Sequence, residues 1–305
     1  MTLRNLEIFV TVYREMSITK AARKLHLAQP GVSLAIKEME EEYRVRLFDR
    51  INRRLSATEK GDQMYAYATH ILEMEEEMEN AMTAPDVPVN LRLGASITIG
   101  TFLVPRIVKC FRERYPTSRL QVTIQNSQQV IRAVIRNEQD LGVVEDRADS
   151  DQLRELPFMK DELCFLCGAD HPLASRESVT LEEICCFPLY LREKGSASRE
   201  ITENLLRTCA AKGEILWESV SNEALAGAIK ENPGITVLSA RLVEKELKEG
   251  SIQILPLHPD AFMRSFSLIH HRKKYLTEPM QFLMDLFKKT TLNGARWDEN
   301  MSHID

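Results

Sequence analysis

Two sets of side chains in this 305-residue sequence have the types and spacing to do chemistry. The first lies between residues 29 and 43. Val32, Ile36, Met39 and Tyr43 recur at helical spacing and form one apolar stripe, so a rotation of about 100° per residue turns Pro30, Leu34 and Lys37 outward with Gln29 and Ser33 on the flank. A helix face of this kind suits the edges of base pairs in a major groove. Gln pairs with adenine N6 and N7, Ser with either base type, and Leu34 or Pro30 can touch a thymine methyl. Arg50, Arg53, Arg54 and Lys60, which follow closely, supply charge for phosphates or a narrow minor groove. The competing reading of the same residues is a helical dimerisation module with a solvated charged face.

The second set consists of two hydroxyl-bearing turns. Ser96-Ile97-Thr98-Ile99-Gly100 follows the strand-like LRLGA, and Gly195-Ser196-Ala197-Ser198-Arg199 follows PLYLR. Each turn precedes an expected helix, where hydroxyls and backbone N–H groups favour a carboxylate, sulfate or phosphate. Plain helix capping is the alternative role of these hydroxyls. Arg192, Lys194 and Arg199 could assist an anion or simply lie at the surface.

Other reactive residue types are present without a site. Cys164 and Cys167 form a CxxC within LCFLCG, but an odd spacing on a strand sends the two thiols to opposite faces, and no second pair completes a zinc set. The six cysteines are expected to be reduced, packed thiols, with redox sensing as a minor alternative. His270 and His271 are adjacent on a strand and cannot both face one site. The sequence holds no nucleophile elbow, P-loop or H-x-x-x-H set. No catalytic residues, metal site or cofactor are therefore expected.

These sets need elements to hold them. Residues 3–48 carry the spacing of three short helices, with Ser17 as an N-cap and Pro30 in the first turn of the third. LFDRINRRLSATEKG reads as a hairpin or wing. Thr58 then caps a long helix whose heptad positions are Met64, Tyr67, Ile71, Met74, Met78 and Ala81, a coiled-coil seam of about three heptads. Its alternative is one helix packed on its own domain. Pro85 and Pro88 end it. From Asn90 strands and helices alternate, implying α/β units on largely parallel sheets in two subdomains.

Charge divides along the chain in the same way. Residues 1–60 hold 12 Lys/Arg against 8 Asp/Glu, residues 61–84 hold 6 acids and no Lys or Arg, and the whole chain carries −5. A basic head on an acidic body directs any polyanion to the head. No apolar run approaches the roughly 18 residues of a membrane helix, and the start MTLRNLEIFVTVYREM lacks the apolar segment of a signal peptide, so a cytoplasmic location and no membrane partner are expected.

The run SITKAARKLHLAQPGVSLAIKEMEEEYRVRLFDRINRRLSATEKG resembles the winged helix-turn-helix of LysR-type transcriptional regulators. The matching positions are Ser17, Ala21-Ala22, Leu25-His26-Leu27, Gln29-Pro30, Val32-Ser33, Ile36, Leu47-Phe48-Asp49-Arg50 and Thr58-Glu59-Lys60-Gly61. Downstream, RLGASITIG, QDLGVVED, GADHPLA, LREKGSASR and SNEALAGAIKENPGITVLS follow in family order. The resemblance implies a DNA-binding domain at 1–60, a dimerising linker helix and hinge at 61–89, a two-subdomain effector domain like type 2 periplasmic binding proteins at 90–293, and a loose tail at 294–305. It adds Thr58 to the DNA-contacting set.

It also implies that Ser96, Thr98, Ser127, Gln128, Glu145 and Ser198, with Ser196 in the same turn, line an effector cleft. The partners implied are double-stranded DNA with a pseudo-palindromic operator, a small anionic metabolite as co-effector, a homodimer or homotetramer, and RNA polymerase. Two other classes remain open at this point. A transporter's solute-binding protein would account for residues 90–290 but not for the basic head. An enzyme on the same fold would need a constellation that is not found.

Overall fold

The computed structural model describes residues 1–51, 54–83, 89–145, 147–208, 213–257 and 263–292. The chain divides into two units, one formed by Met1–Pro88 with Ile135–Glu138 and Lys273–Tyr275, the other by the remainder.

In the first unit α1 (Leu3–Glu15), α2 (Ile18–Lys24) and α3 (Gln29–Tyr43) are followed by the hairpin β1 (Phe48–Ile51) and β2 (Arg54–Ala57) and by α4 (Glu59–Thr83). Local chemistry sets the boundaries. Thr2 and Ser17 accept N–H bonds from Asn5 and Lys20 at the starts of α1 and α2, and Pro30 occupies the first turn of α3, where its missing donor costs nothing. Phe9, Val12, Val32, Met39 and Leu47 are fully buried, each contributing about 1.5–3 kcal/mol by leaving water. Tyr43 departs from the expected stripe. It is 44% exposed and its hydroxyl meets the Met1 sulfur, because α3 ends there with Arg44 in the left-handed region.

The wing enters and leaves through defined contacts. The Glu40 carboxylate accepts from the Leu47 and Phe48 amides at 2.7 and 3.2 Å. Thr58 donates to the Arg46 carbonyl and accepts from the Gly61 amide, capping α4. Gly61 is required here, since a Cβ would stand 2.2 Å from the Leu47 carbonyl oxygen. Along α4, Tyr65 and Ala68 join the core of the head, whereas Tyr67, Ile71, Met74 and Met78 are exposed.

The second unit is built on one nine-stranded sheet in the order β4-β3-β5-β11-β6-β9-β7-β8, with β10 paired to β6. The strands are β3 (Asn90–Ser96), β4 (Arg119–Gln125), β5 (Leu141–Glu145), β6 (Leu153–Gly168), β7 (Leu189–Arg192), β8 (Ile215–Ser219), β9 (Ile235–Ser239), β10 (Ile252–Ile254) and β11 (Met263–His271). The helices α5 (Ile97–Phe102), α6 (Val104–Arg114), α7 (Ser127–Ile135), α8 (Leu181–Ile184), α9 (Ala197–Thr208), α10 (Asn222–Glu231), α11 (Glu244–Glu249) and α12 (Glu278–Leu292) connect or follow them. Pairs β3/β4, β3/β5, β7/β8 and β7/β9 are parallel, whereas β11 and β6 run antiparallel to their neighbours. The sheet is therefore mixed, and the expectation of largely parallel sheets is corrected by these two long strands.

Strand β6 defines two subdomains. Its first half pairs with β11 beside β5, β3 and β4, and its second half pairs with β9 and β10. The first subdomain buries Leu93, Ile99, Ile107, Phe111, Phe266 and Phe287 in one cluster. The second has a cluster on each face of its sheet, so neighbouring residues separate: Cys164 lies in one cluster and Cys167 in the other, as the odd spacing requires.

Candidate DNA-reading face and effector cleft

The head presents its candidate residues on the outside of α3. Gln29, Pro30, Leu34 and Lys37 are exposed and Ser33 is half-buried, while Val32, Ala35, Ile36 and Met39 anchor the opposite face. Lys37 reaches Glu41 at 3.4 Å with both side chains well exposed, a pair too solvated to hold the amine away from another partner. Lys60 is exposed and donates to Gln63. Thr58 differs from the rest, since its hydroxyl is engaged on both sides by Arg46 and Gly61; its structural role is the cap. Arg50 and Arg54 are placed by the β1/β2 register, Arg50 opposite Leu55 and Ile51 opposite Arg54, and Arg53 lies outside the described residues. Lys20 and Arg23, exposed on α2, are missing from the candidates that the sequence offers; the helix before a reading helix crosses the phosphate backbone, which is the signal that could have found them.

In the second unit four of the expected cleft residues gather around one buried carboxylate–guanidinium pair. Ser96 ends β3, Thr98 opens α5, Ser127 opens α7 and Glu145 ends β5. Ser96 donates to Glu145 at 2.9 Å, and the Glu145 amide donates to Ser127 at 3.4 Å. Glu145 pairs with Arg264 of β11, whose other terminal nitrogen lies 3.4 Å from the Thr98 hydroxyl. All five residues are at least nine-tenths buried. An anion contact, or else plain helix capping, is the expectation for the Ser96 hydroxyl at this helix start. Instead it makes no cap bond to α5 and is turned onto the Glu145 carboxylate.

Ser196 and Ser198 occupy the facing turn, buried and hydrogen-bonded to each other at 3.0 Å. Gly195 sits at φ +91°, in the left-handed region that favours glycine, and its carbonyl accepts from the Gln128 amide at 3.3 Å. The Gln128 side chain donates to Glu200 of α9. Gln128 is exposed, so it belongs to the rim where the subdomains meet and not to the buried lining. Arg192 and Arg199 are buried and engaged: Arg192 by Glu193 and Asn222, Arg199 by Glu203, Glu218 and the Arg192 carbonyl. Lys194 is exposed.

The remaining reactive types are quiet. Burial, reinforced by the nearby Glu162 and Asp161 charges, pushes the Cys164 thiol up to about 12, and burial alone pushes Cys167 up to about 11. Burial lowers the pKa of His270, which is buried while His271 is only partly so. Among the described residues no group of three or more His, Cys, Asp or Glu side chains could hold a metal, and no helix is long and apolar enough to cross a membrane.

Residues 3–62 match the bacterial regulatory helix-turn-helix of the lysR family, and residues 90–291 match the LysR substrate binding domain. The chain belongs to the LysR family. It is a DNA-binding transcriptional regulator of that family, with an N-terminal helix-turn-helix and a C-terminal effector-binding domain. The HTH-type transcriptional regulator YeiE of Escherichia coli (strain K12) is 34% identical over 284 residues, covering 93% of this chain and 96% of that protein. Among solved structures, the Synechocystis PCC6803 CcmR regulatory domain in complex with 2-PG is 28% identical with a TM-score of 0.62, covering 67% of this chain and 98% of that one. A full-length OxyR variant from Pseudomonas aeruginosa shares the fold at 21% identity and a TM-score of 0.73, covering 95% of this chain and 94% of that one. In the second unit the residue that the sequence does not mark is Arg264. SFSLIH reads only as a strand, and nothing local marks the arginine that precedes it.

Proposed function

We propose that this LysR-family chain binds a pseudo-palindromic duplex as a dimer and responds to a small anionic metabolite held between the subdomains of its second unit. Gln29, Pro30, Ser33, Leu34 and Lys37 read base edges, and Arg50, Arg53, Arg54 and Lys60 hold phosphates. The observation that carries the reading is the pair of hydroxyl sets, Ser96 with Thr98 and Ser196 with Ser198, buried in different subdomains that meet where Gln128 bonds to Gly195. The 2-PG bound by the CcmR regulatory domain, a small anion, supports the ligand class. Effector closure across the cleft changes the relation of the subdomains and hence the DNA geometry offered to RNA polymerase.

The exposed stripe Tyr67, Ile71, Met74 and Met78 on α4 supports a linker-helix dimer, which the family resemblance extends to a tetramer. We take the domain limits as 1–60, 61–89 and 90–293, with 294–305 outside the described residues. The reading is non-enzymatic, cytoplasmic and without a resident cofactor.

Selection of duplexes from a random pool, followed by affinity measurement with and without a panel of small anions, tests this function. An enriched inverted repeat whose affinity changes with one anion is expected. A pool that stays random under the full-length protein overturns the DNA-reading assignment, and an enriched site indifferent to every anion overturns the ligand class.

A further inference from the structure

Arg264 is a buried cation of the second unit that pairs with two carboxylates, both of them buried. Its guanidinium is almost wholly buried, donates from Nε to Asp161 at 2.7 Å, pairs with Glu145 through one terminal nitrogen and reaches Thr98 through the other. All three of its nitrogens thus have a partner, two of them carboxylates and the third the longer contact to Thr98. The neighbours are also unusual in where they come from. Glu145, Ser96 and Thr98 belong to the first subdomain, whereas Asp161 takes a bond from Ser239 of β9 at 2.7 Å and lies 3.4 Å from Arg241, both in the second. Asp161 and Arg264 are register partners on β6 and β11, at the point where the chain crosses from one subdomain to the other and back.

We propose that the Glu145 carboxylate is a built-in stand-in for an anionic ligand: it occupies the donors of Ser96 and Arg264, and the effector's anionic group takes Arg264 by competing with it. The inference rests on the anionic-effector reading and adds the residue that receives the charge. It explains why Ser96 and Thr98, expected as ligand contacts, are turned onto one carboxylate and its arginine partner, with Ser127 holding the backbone amide of the same Glu145. Because the same guanidinium holds Asp161, a ligand that draws it away also weakens the tie through Asp161 to Ser239. Charge in the cleft is thereby coupled to the crossover strands. Arg264 is a binding residue and Asp161 a positioning residue in this scheme.

The test is thermal unfolding of the full-length protein in inorganic phosphate against chloride at matched ionic strength. In Glu145→Gln the stand-in is lost, so phosphate should fill its place and raise the midpoint by about 2–4 °C or more beyond any wild-type response. In the double variant Glu145→Gln, Arg264→Gln that gain should vanish. An equal phosphate response in wild type and both variants overturns the proposal. If Glu145→Gln does not fold, Glu145→Asp, which keeps the charge but withdraws it by one methylene, should show a smaller phosphate gain over wild type, and its absence is equally decisive. Wild type indifferent to every organic anion, together with a phosphate response in Glu145→Gln, would mean that the ligand reading fails while the competition at Arg264 holds.

Discussion

The proposed reading face of the head and the proposed cleft of the second unit solve opposite problems. The head must present side chains, so Gln29, Leu34 and Lys37 stand in solvent on one helix, held only by the apolar residues behind them. The cleft must hide them. Ser96, Thr98, Glu145, Asp161 and Arg264 come from four strands and a helix start, and every charge is compensated by another part of the same unit. A presented site tolerates side-chain exchange and loses specificity, whereas a hidden, mutually compensated one loses stability first.

Removing one partner from the cleft should therefore have the largest effect. Arg264→Leu leaves Glu145 buried without its cation and Asp161 with only the longer contact to Arg241, and chemical denaturation should show a loss of about 3–5 kcal/mol in the second unit. A loss under about 1 kcal/mol would erase the contrast between the two regions. Next is Gly61→Ala, the one place where the head behaves like the cleft. Its Cβ would meet the Leu47 carbonyl at 2.2 Å, so the wing or α4 must shift, costing about 1–3 kcal/mol together with DNA affinity. Unchanged affinity and melting would show that the junction is looser than its geometry.

Side-chain exchange on the reading face should leave folding intact. Ser33→Ala is expected to cost about 1–3 kcal/mol of discrimination at one base pair, whereas Arg53→Ala should weaken all duplexes alike and lower the salt slope by about 1. Competition assays against single-base variants separate the two patterns; identical profiles would remove Ser33 from the reading set. A smaller effect concerns pH. His270 has a folded pKa depressed by burial, so the unfolded chain binds the proton more readily, and this contribution to stability is complete above about 6.5 and declines as pH falls below it. His270→Gln should flatten the stability profile between about pH 7 and 5, and an unchanged slope there would assign the acid sensitivity elsewhere.

How legible each region is follows from the same contrast. The head can be read nearly residue by residue, because capping by Ser17 and Thr58, Pro30 in a first turn and the Val32, Ile36, Met39 stripe are local rules. Tyr43 breaks the pattern because it extends the stripe one step past the point where the helix turns out. In the second unit most elements are readable, but β6 reads as a strand only from Glu162 although it begins at Leu153. Its first half carries Arg154, Glu155 and Lys160 and contains Pro157 at a register shift against β11, which breaks the alternation that marks a strand. The short edge strand β8 shows Ile215, Leu216 and Trp217 to solvent and gives no alternation either. Arg264 is invisible for a different reason. Its meaning lies in Glu145 and Asp161, more than a hundred residues away in sequence, and no local pattern reports a pairing of that kind.

The most direct test of the account is the thermal midpoint of the full-length protein with small carboxylates, sulfate, phosphate and 2-phosphoglycolate, measured for wild type and Ser198→Ala. An anion at a hundredfold excess over its Kd stabilises by about 2.7 kcal/mol, well above measurement error. At least one anion should raise the wild-type midpoint, and Ser198→Ala should abolish the rise. A rise that survives in Ser198→Ala, or no rise with any anion, would contradict the anionic-effector reading.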